Sequence, residues 1–193
     1  MKQKTYNVQF RRKREGKTNY KKRLKLLLAG KPRLVIRPSL KNIIVQIIEY
    51  HPKGDKVIVA AHSSELDKLG WKFNKGNMPA AYLTGLLAGQ KGKDNGVKET
   101  ILDIGLASPV KGSRIFACLK GVIDGGIKVP VSEEILPKED RIKGSHITKY
   151  AESIKGKENE YSKKFSEYIK LNIDPLQISK IFEEIKKQII KVE

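Results

Sequence analysis

Short apolar runs rich in valine and isoleucine follow one another early in the chain. Residues 33–37 read RLVIR, residues 42–50 read NIIVQIIEY and residues 56–61 read KVIVAA. The turn residues SLKN and the loop HPKGD separate these runs. β-branched runs of this length predict strands, and short turns between them predict antiparallel neighbours. The pattern therefore predicts a meander of three strands.

The spacing of apolar residues becomes helical after the meander. Asn77 is a typical N-cap and Pro79 suits the first turn, so a helix is expected through AAYLTGLLAGQ. Its large apolar residues are expected to face the core, and its small residues to let the helix backbone approach the sheet closely. The large residues are Tyr82, Leu83, Leu86 and Leu87, and the small ones are Ala81, Gly85 and Gly89.

A fourth strand is predicted over residues 99–104 and a second core helix over residues 114–125. A strand that returns after a helix runs parallel to its neighbour, because such crossovers are nearly always right-handed and parallel. The element order β-β-β-α-β-α predicts an α/β fold, a mixed sheet with helices packed on it. This order resembles the ribonuclease H-like layered core.

The two ends of the chain have a different character. Residues 1–19 show no sustained helix or strand period, and we expect an arm that stays extended or disordered until it meets its partner. A short helix should follow over residues 20–29 and end at Gly30. In the tail, Pro130 and Pro137 bracket a short acidic helical turn, and helices are expected over residues 141–154, 160–171 and 175–192. The predicted divisions are an arm with a short helix (1–30), an α/β core (31–129) and a helical C-terminal extension (130–193).

The net charge of +19 on 193 residues belongs mainly to one end of the chain. Residues 1–25 hold 11 basic residues and one acid, residues 26–131 hold 16 and 8, and residues 132–193 hold 13 and 12. Clustered Lys and Arg indicate a polyanion binder, and nucleic acid is the commonest such partner inside cells. No run approaches the roughly 18 apolar residues of a membrane span, which disfavours membrane residence and export. The single cysteine and three scattered histidines give no zinc spacing.

The arm carries the strongest chemical signal. Its aromatic residues alternate with cations, the mixture that RNA binding needs, because cations neutralise phosphates while rings and guanidinium planes stack on bases. The alternative interpretation is a solvated basic tail without a specific target. The aromatic residues are Tyr6, Phe10 and Tyr20, and the cations are Arg11, Arg12, Lys13, Arg14, Lys17, Lys21, Lys22 and Arg23.

The segment SPVKGSR before the second core helix is a second candidate. Ser113 is a plausible cap, and Lys111 and Arg114 flank helix N–H groups that attract anions. It lacks the Gly-Lys-Ser/Thr triplet of a Walker A loop. An ordinary strand-to-helix turn with exposed charges explains the segment equally well.

Three acids and two aromatic or imidazole side chains complete the candidates. Glu49, Asp103 and Asp124 could form a metal-dependent nuclease site, but they lie on separate elements, and ion pairs with Lys or Arg explain the first two better. His62 could touch RNA or cap a turn. Trp71 could stack on a base or cover the edge of a core, and in both cases we favour the structural role.

Six sequence motifs, taken in their order along the chain, indicate the protein family more specifically. The motifs are FRRKREGKTNYKKRLKLLLAGKPRLVIRPS, QIIEYHPKGDKV, AAHSSELDKLGWK, GNMPAAYLTGLLAG, ILDIGLASPVKGSRIFACLKG and VPVSEEILPKEDRIKGSHI. Together they resemble the archaeal and eukaryotic form of large-subunit ribosomal protein eighteen, whose eukaryotic counterpart is large-subunit protein five. The resemblance runs from about residue 6 to the tail. Asn19, Ala107 and Ser145 depart from the residues common in the family, which are Asp, His and Glu.

The resemblance implies a structural ribosomal protein of the cytoplasm, without catalysis, cofactor, metal, membrane or small-molecule substrate. It implies partners in 5S ribosomal RNA, large-subunit ribosomal RNA and neighbouring ribosomal proteins, with the chain attaching 5S RNA in the central protuberance. RNA contacts are then expected on the arm, on the entry to the sheet and before the second core helix. These residues are Tyr6, Phe10, Arg11, Arg12, Lys13, Arg14, Lys17, Thr18, Tyr20, Lys21, Arg23, Lys31, Arg33, Lys111, Ser113 and Arg114. A metal-dependent nuclease and a general architectural DNA binder remain the rival hypotheses.

Overall fold

A mixed sheet of four strands forms the centre of the computed structural model, which describes residues 7–191 apart from the side chains of residues 158 and 191. The strands are β1 (Arg33–Pro38), β2 (Ile43–Glu49), β3 (Lys56–His62) and β4 (Ile101–Asp103). Their order is β3-β2-β1-β4. The first three strands are antiparallel neighbours, and β4 runs parallel to β1. The predicted meander and parallel return are therefore confirmed.

Period-two alternation decides which face of the sheet is covered. Leu34 and Ile36 on β1 and Val45 and Ile47 on β2 are fully buried. They pack in one hydrophobic cluster with residues of the two core helices. Arg37 and Ile44, at positions of the opposite parity, are exposed. One face of the sheet is thus the core, and the other is mixed, with buried Arg33 and Val35 beside exposed Arg37 and Ile44.

Helices and single 3₁₀ turns account for the other elements of the described chain. The α-helices are α1 (Arg11–Arg14), α2 (Tyr20–Leu27), α3 (Met78–Asp94), α4 (Arg114–Asp124), α5 (Glu139–Ile142), α6 (Ser145–Ile154), α7 (Glu158–Lys164), α8 (Ser166–Lys170) and α9 (Ile178–Lys191). The 3₁₀ turns are Ser63–Leu69, Glu133–Ile135 and Pro175–Gln177. Asn77 caps α3 as predicted, because its side chain accepts a hydrogen bond from the backbone N–H of Ala80 at 2.9 Å.

The close approach predicted for the glycines of α3 is made to another helix, not to the sheet. A Cβ built on Gly85 would lie 2.0 Å from the backbone oxygen of Cys118 in α4, and one on Gly89 would lie 2.8 Å from that of Val122. Gly121 of α4 meets the α3 backbone in the same way, 2.2 Å from the oxygen of Tyr82. The expectation of helix-to-sheet contact at these glycines was wrong, because two helices on the same sheet face press against each other.

The tail differs from its predicted helices at three places. Gly144, with φ of 86°, separates α5 from α6, where one continuous helix was expected. Phe165 turns inward between α7 and α8 to contact the rings of Tyr161 and Tyr168, which interrupts the helix predicted over residues 160–171. The last predicted helix begins instead with the 3₁₀ turn Pro175–Gln177. The left-handed Gly144 and the buried Phe165 account for the first two differences, and the third is a local 3₁₀ turn capped by Asp174.

Helix α9 fastens the tail to the core. Phe182 is 1% exposed and its ring centroid lies 5.5 Å from that of Tyr82 on α3. Trp71 belongs to the same hydrophobic cluster and is fully buried, so it is a core residue in this structure rather than a surface ring. His62 caps the following 3₁₀ turn by accepting a hydrogen bond from the N–H of Ser64. The structural roles expected for Trp71 and His62 are confirmed.

Candidate RNA-binding surface

The basic arm folds back on itself where no regular structure was predicted before residue 20. Helix α1 is one turn long, and its residues Arg11–Arg14 are all exposed. The backbone N–H groups of Lys17 and Thr18 both donate to the carbonyl of Arg12, which reverses the chain after Gly16. The helical turn is a correction to the prediction of an arm without regular structure. Whether the arm orders only on RNA stays a prediction.

Two side-chain contacts hold α1 against α2. The rings of Phe10 and Tyr20 lie with centroids 5.2 Å apart, and the Nε of Arg12 donates to the hydroxyl of Thr18 at 2.8 Å. Phe10 is nevertheless 71% exposed. The arm therefore presents an aromatic face together with cations, as the interleaved sequence suggested. Tyr6, the other predicted aromatic contact, lies outside the described residues.

The cations of the arm divide into paired and unpaired groups. Arg11 and Lys17 both reach the carboxylate of Glu15, at 3.1 and 2.9 Å. Within the described part of the chain, no ion pair involves Lys13, Arg14 or Lys21, and all three are exposed. An unpaired surface cation can bind a phosphate without first breaking an ion pair within the protein.

Helix α2 begins at a well-formed cap. The side chain of Asn19 accepts a hydrogen bond from the N–H of Lys22 at 3.1 Å. Aspartate, the residue common at this position in the resembled family, would accept the same bond, so this departure leaves the helix start intact. The helix has no buried residue, and its position depends on polar contacts.

An open cleft of about 1110 Å³ lies between the arm and the β1–β4 side of the sheet. Its acidic lining residues are Asp55, from the β2–β3 turn, and Asp103, from β4. Cations outnumber these acids, and we call the space the arm cleft. Its basic lining residues are Arg12, Lys17, Lys22, Arg23, Lys25, Arg33 and Arg37.

Arg33 lies beneath the arm cleft rather than on its surface. Its side chain is 4% exposed and pairs with Asp103 at 2.8 Å and with Asp55 at 2.6 Å. The family resemblance implied an RNA contact at Arg33, but in this structure its guanidinium is bound to two carboxylates. A buried, doubly paired arginine supports the fold of the site, so we leave Arg33 out of the proposed contact surface. Lys31, its neighbour in the predicted set, is exposed and pairs with Glu99 at 2.6 Å.

Asp103 and Arg37 form the far wall of the arm cleft. Arg37 donates to the carboxylate of Asp103 at 3.2 Å and to its backbone carbonyl at 2.6 Å, while 43% of the Arg37 side chain stays exposed. Burial alone would raise the pKa of Asp103. The N–H of Gly105, the charge of Arg37 and the hydrogen bonds from Arg33 and Arg37 outweigh burial and hold that pKa below its ordinary value. The carboxylate is therefore charged at neutral pH and fixes the guanidinium beside it.

Sequence reasoning passed over Arg37, Asp55 and Asp103 as members of this site. The run RLVIR did contain one signal, since residues 33 and 37 of a strand point to the same face. The partners of these arginines come from distant turns and strands, which no local pattern brings together.

Gly112 and Arg114, in the segment at the start of α4, form hydrogen bonds within the protein that the sequence did not predict. Ser113 holds the N-cap position, but its side chain caps nothing, and its buried hydroxyl has no hydrogen-bond partner among the described residues. The N–H of Gly112 donates to the carbonyl of Ile135. Arg114 donates to the carbonyls of Ser39 and Gly76, so it ties loops together. The side-chain cap by Ser113 was wrong, and the anion contact in this segment stays a prediction. Lys111 is exposed and lies 3.7 Å from Glu134.

The three acids of the nuclease hypothesis have separate partners or positions. Asp103 pairs with arginines, as expected, and Asp124 accepts a hydrogen bond from the hydroxyl of Tyr82 at 2.6 Å. Burial raises the pKa of the Tyr82 phenol, and its bond to Asp124 raises it further. Glu49 is exposed at the end of β2. Within residues 7–191, no three His, Cys, Asp or Glu side chains are grouped so that they could hold a metal ion.

An α/β core with a folded, cation-rich arm is an architecture typical of RNA-binding proteins of the translation apparatus. The chain matches the family model of the ribosomal large-subunit proteins 60S L5 and 50S L18 over residues 4–96 and 90–132. These segments cover more than half of the chain, and the chain belongs to that family. It is a large-subunit ribosomal protein, of a structural rather than an enzymatic family, and it resides on the cytoplasmic ribosome. The resemblance stated from the sequence is confirmed.

Across the described part of the chain, no helix combines the length and the apolar character that a membrane span requires.

Proposed function

We propose that this chain binds 5S ribosomal RNA and attaches it to the large subunit in the central protuberance. The observation that carries the proposal is the folded arm, which sets unpaired cations and an exposed aromatic ring on one side of a cleft floored by arginines. Membership of the ribosomal family supports a ribosomal RNA partner. The RNA contacts are proposed for the predicted residues of the arm, together with Lys31, Lys111, Ser113 and Arg114, while Arg33 of β1 is left out.

Phosphate neutralisation is expected to supply most of the affinity. Each phosphate contact releases counterions, so the binding constant falls with salt in proportion to the number of contacts. Specificity is expected from RNA shape and from bases stacked on arm residues such as Phe10, because RNA is read mainly by shape and by unpaired bases. The C-terminal extension, nearly neutral in charge, would pack on neighbouring proteins and large-subunit RNA.

Deleting residues 1–25 tests the arm directly. We expect much weaker binding to 5S RNA and a flatter dependence of log K on log salt, measured by filter binding or fluorescence anisotropy at several salt concentrations. Unchanged binding by the truncated protein would remove the arm from the proposal.

A second variant keeps the chain length and separates the arm from general charge. Replacing Arg11, Arg12, Lys13 and Arg14 with Gln should lower the salt slope by roughly three. Its matched control replaces four exposed lysines of the tail, Lys149, Lys155, Lys163 and Lys164, with Gln. Equal losses in both variants would mean that the arm acts only through net charge.

The two rival functions have their own readouts. A general architectural DNA binder would bind duplex DNA and 5S RNA equally at matched salt, whereas we expect preference for the RNA. A nuclease would cleave RNA in the presence of magnesium and lose that cleavage on Asp103→Asn. We expect no cleavage by either protein.

A further inference from the structure

Five charged side chains of alternating sign run from the arm helix to the far wall of the arm cleft. Arg23 of α2 donates through one nitrogen to both carboxylate oxygens of Asp55, each at 2.9 Å. Asp55 also accepts from Arg33 at 2.6 Å, Arg33 donates to Asp103 at 2.8 Å, and Asp103 accepts from Arg37 at 3.2 Å. We call this series the arginine–aspartate chain.

The arginine–aspartate chain joins the arm helix to strands that are already fixed by their pairing in the sheet. Helix α2 has no fully buried residue and only Leu26 and Leu27 half-buried among its leucines, so apolar packing gives its position little support. Asp55 belongs to the turn between β2 and β3, 32 residues from Arg23 in sequence. The contact between these two side chains therefore anchors the arm helix to the sheet.

The two terminal arginines remain accessible, while the middle one does not. The side chains of Arg23 and Arg37 are 29% and 43% exposed, against 4% for Arg33. A guanidinium carries five N–H donors, so each terminal arginine keeps donors free after its bonds to aspartate. Both line the arm cleft, where a phosphate group can reach them.

We infer that Asp55 and Asp103 are positioning residues, which hold Arg23 and Arg37 as a prearranged pair of phosphate-binding groups on opposite sides of the arm cleft. The ligand class is the RNA phosphate backbone, so this inference rests on the proposed function. Holding a long side chain in place before binding avoids an ordering cost on binding, which converts into affinity. The assignment makes two acids necessary parts of a surface that binds an anion.

For Asp55→Asn, this inference predicts a change in RNA affinity opposite to the one expected from net charge alone. Removing a carboxylate from an anion-binding cleft should strengthen RNA binding if only net charge matters. If Asp55 positions Arg23, then Asp55→Asn should instead weaken it, by about fivefold on the usual cost of ordering one long side chain.

Glu49→Gln is the matched control for this change. Glu49 of β2 lies opposite Lys56 of β3 in the backbone register of the hairpin, and Lys56 directly follows Asp55. No described residue forms an ion pair with the exposed carboxylate of Glu49. The control removes the same charge from the same end of the hairpin without touching the arm. We expect it to bind 5S RNA as wild type does, or slightly more tightly.

The experiment measures 5S RNA affinity and, separately, amide hydrogen exchange of α2 in the free full-length protein. Asp55→Asn should weaken binding and speed exchange in α2, while Glu49→Gln should do neither. Binding by Asp55→Asn as tight as that of the control, or unchanged exchange in α2, would overturn the inference.

The two readouts also separate this inference from the proposed function. If wild type failed to bind 5S RNA, the proposed function would fail, and hydrogen exchange would still decide whether Asp55 positions the arm helix. Arg37→Gln adds a direct test of the far wall. It should weaken RNA binding without changing exchange in α2, and unchanged binding would remove Arg37 from the pair.

Discussion

Helix α3 and the arm are held in place by opposite means. Twelve of the 17 residues of α3 are buried, and Gly85 and Gly89 lie close against the backbone of α4. Helices α1 and α2 bury no residue and are fixed by ion pairs, one ring contact and a few hydrogen bonds. The core therefore tolerates no added atoms, whereas the surface of the arm can change its charge with little effect on folding.

The largest effect is expected where the tail is joined to α3. Phe182→Ala removes a ring that is 1% exposed and packs against Tyr82, so the free energy of unfolding should fall by about 4 kcal/mol. Urea denaturation measures this change. Ile190→Ala on the same helix is the control, because Ile190 is 45% exposed and should cost much less. Equal losses would mean that α9 is not packed on α3 as described.

The contact between α3 and α4 should respond to a single methyl group. Gly85→Ala places a Cβ where the backbone oxygen of Cys118 lies 2.0 Å away, so the helices must separate, at a cost of about 3 kcal/mol. Gly156→Ala is the matched control, since Gly156 has nothing within 4 Å of the added carbon. Denaturant unfolding of both variants gives the comparison. A tolerated Gly85→Ala would contradict the close helix contact.

An intermediate effect is expected at Asp103, which joins the core to the arm cleft. Its removal by Asp103→Asn leaves Arg33 with one carboxylate fewer, which should cost about 2 kcal/mol at neutral pH. Because the pKa of Asp103 is lowered by folding, its contribution is present above its ordinary pKa and is lost as the pH falls through the lower folded value. The unfolding free energy of Asp103→Asn should therefore decline less steeply below about pH 4 than that of wild type.

Urea unfolding at a series of acidic pH values measures this difference. Glu49→Gln is the matched control, because it removes an exposed carboxylate with which no described residue forms an ion pair. Parallel curves for Asp103→Asn and wild type would show that the ion pairs of Asp103 do not stabilise the folded state.

The smallest effect on folding is expected in the arm. Lys13→Ala should change the free energy of unfolding by less than about 0.5 kcal/mol, because Lys13 is exposed and pairs with no described residue. Under the proposed function, the same variant should lower the salt slope of 5S RNA binding by about one. Lys163→Ala, exposed in the tail, should change neither quantity. A clear loss of stability in Lys13→Ala would contradict the view that arm substitutions affect folding much less than core substitutions.

The sequence predicted the fold better than it predicted the site. Strands β1 to β3 were predicted within one residue at each end, because β-branched alternation and turn residues are local signals. The helical pattern of the tail was also local, but Gly144 and Phe165 interrupted it for reasons of packing. At the site, the basic and aromatic composition of the arm was evident, while its folding back through Phe10 and Tyr20 was not. Of the two acids of the arm cleft, Asp103 was expected to form an ion pair rather than bind a metal, and Asp55 was not singled out.

By itself, the sequence determined the strands, the cap of α3 at Asn77 and the concentration of positive charge in the first 25 residues. The strands and the cap depend on residues close together in the chain, and the charge depends only on composition. The tertiary structure decided that the glycines of α3 face α4 and that Arg33 lies buried between Asp55 and Asp103. The two pairings of Arg33 span 22 and 70 residues of sequence, and only the packing of β1 beside β4 and the hairpin turn brings these charges together. Contacts of that separation leave no period in the sequence, because the charged groups come within reach of one another only when the fold has formed.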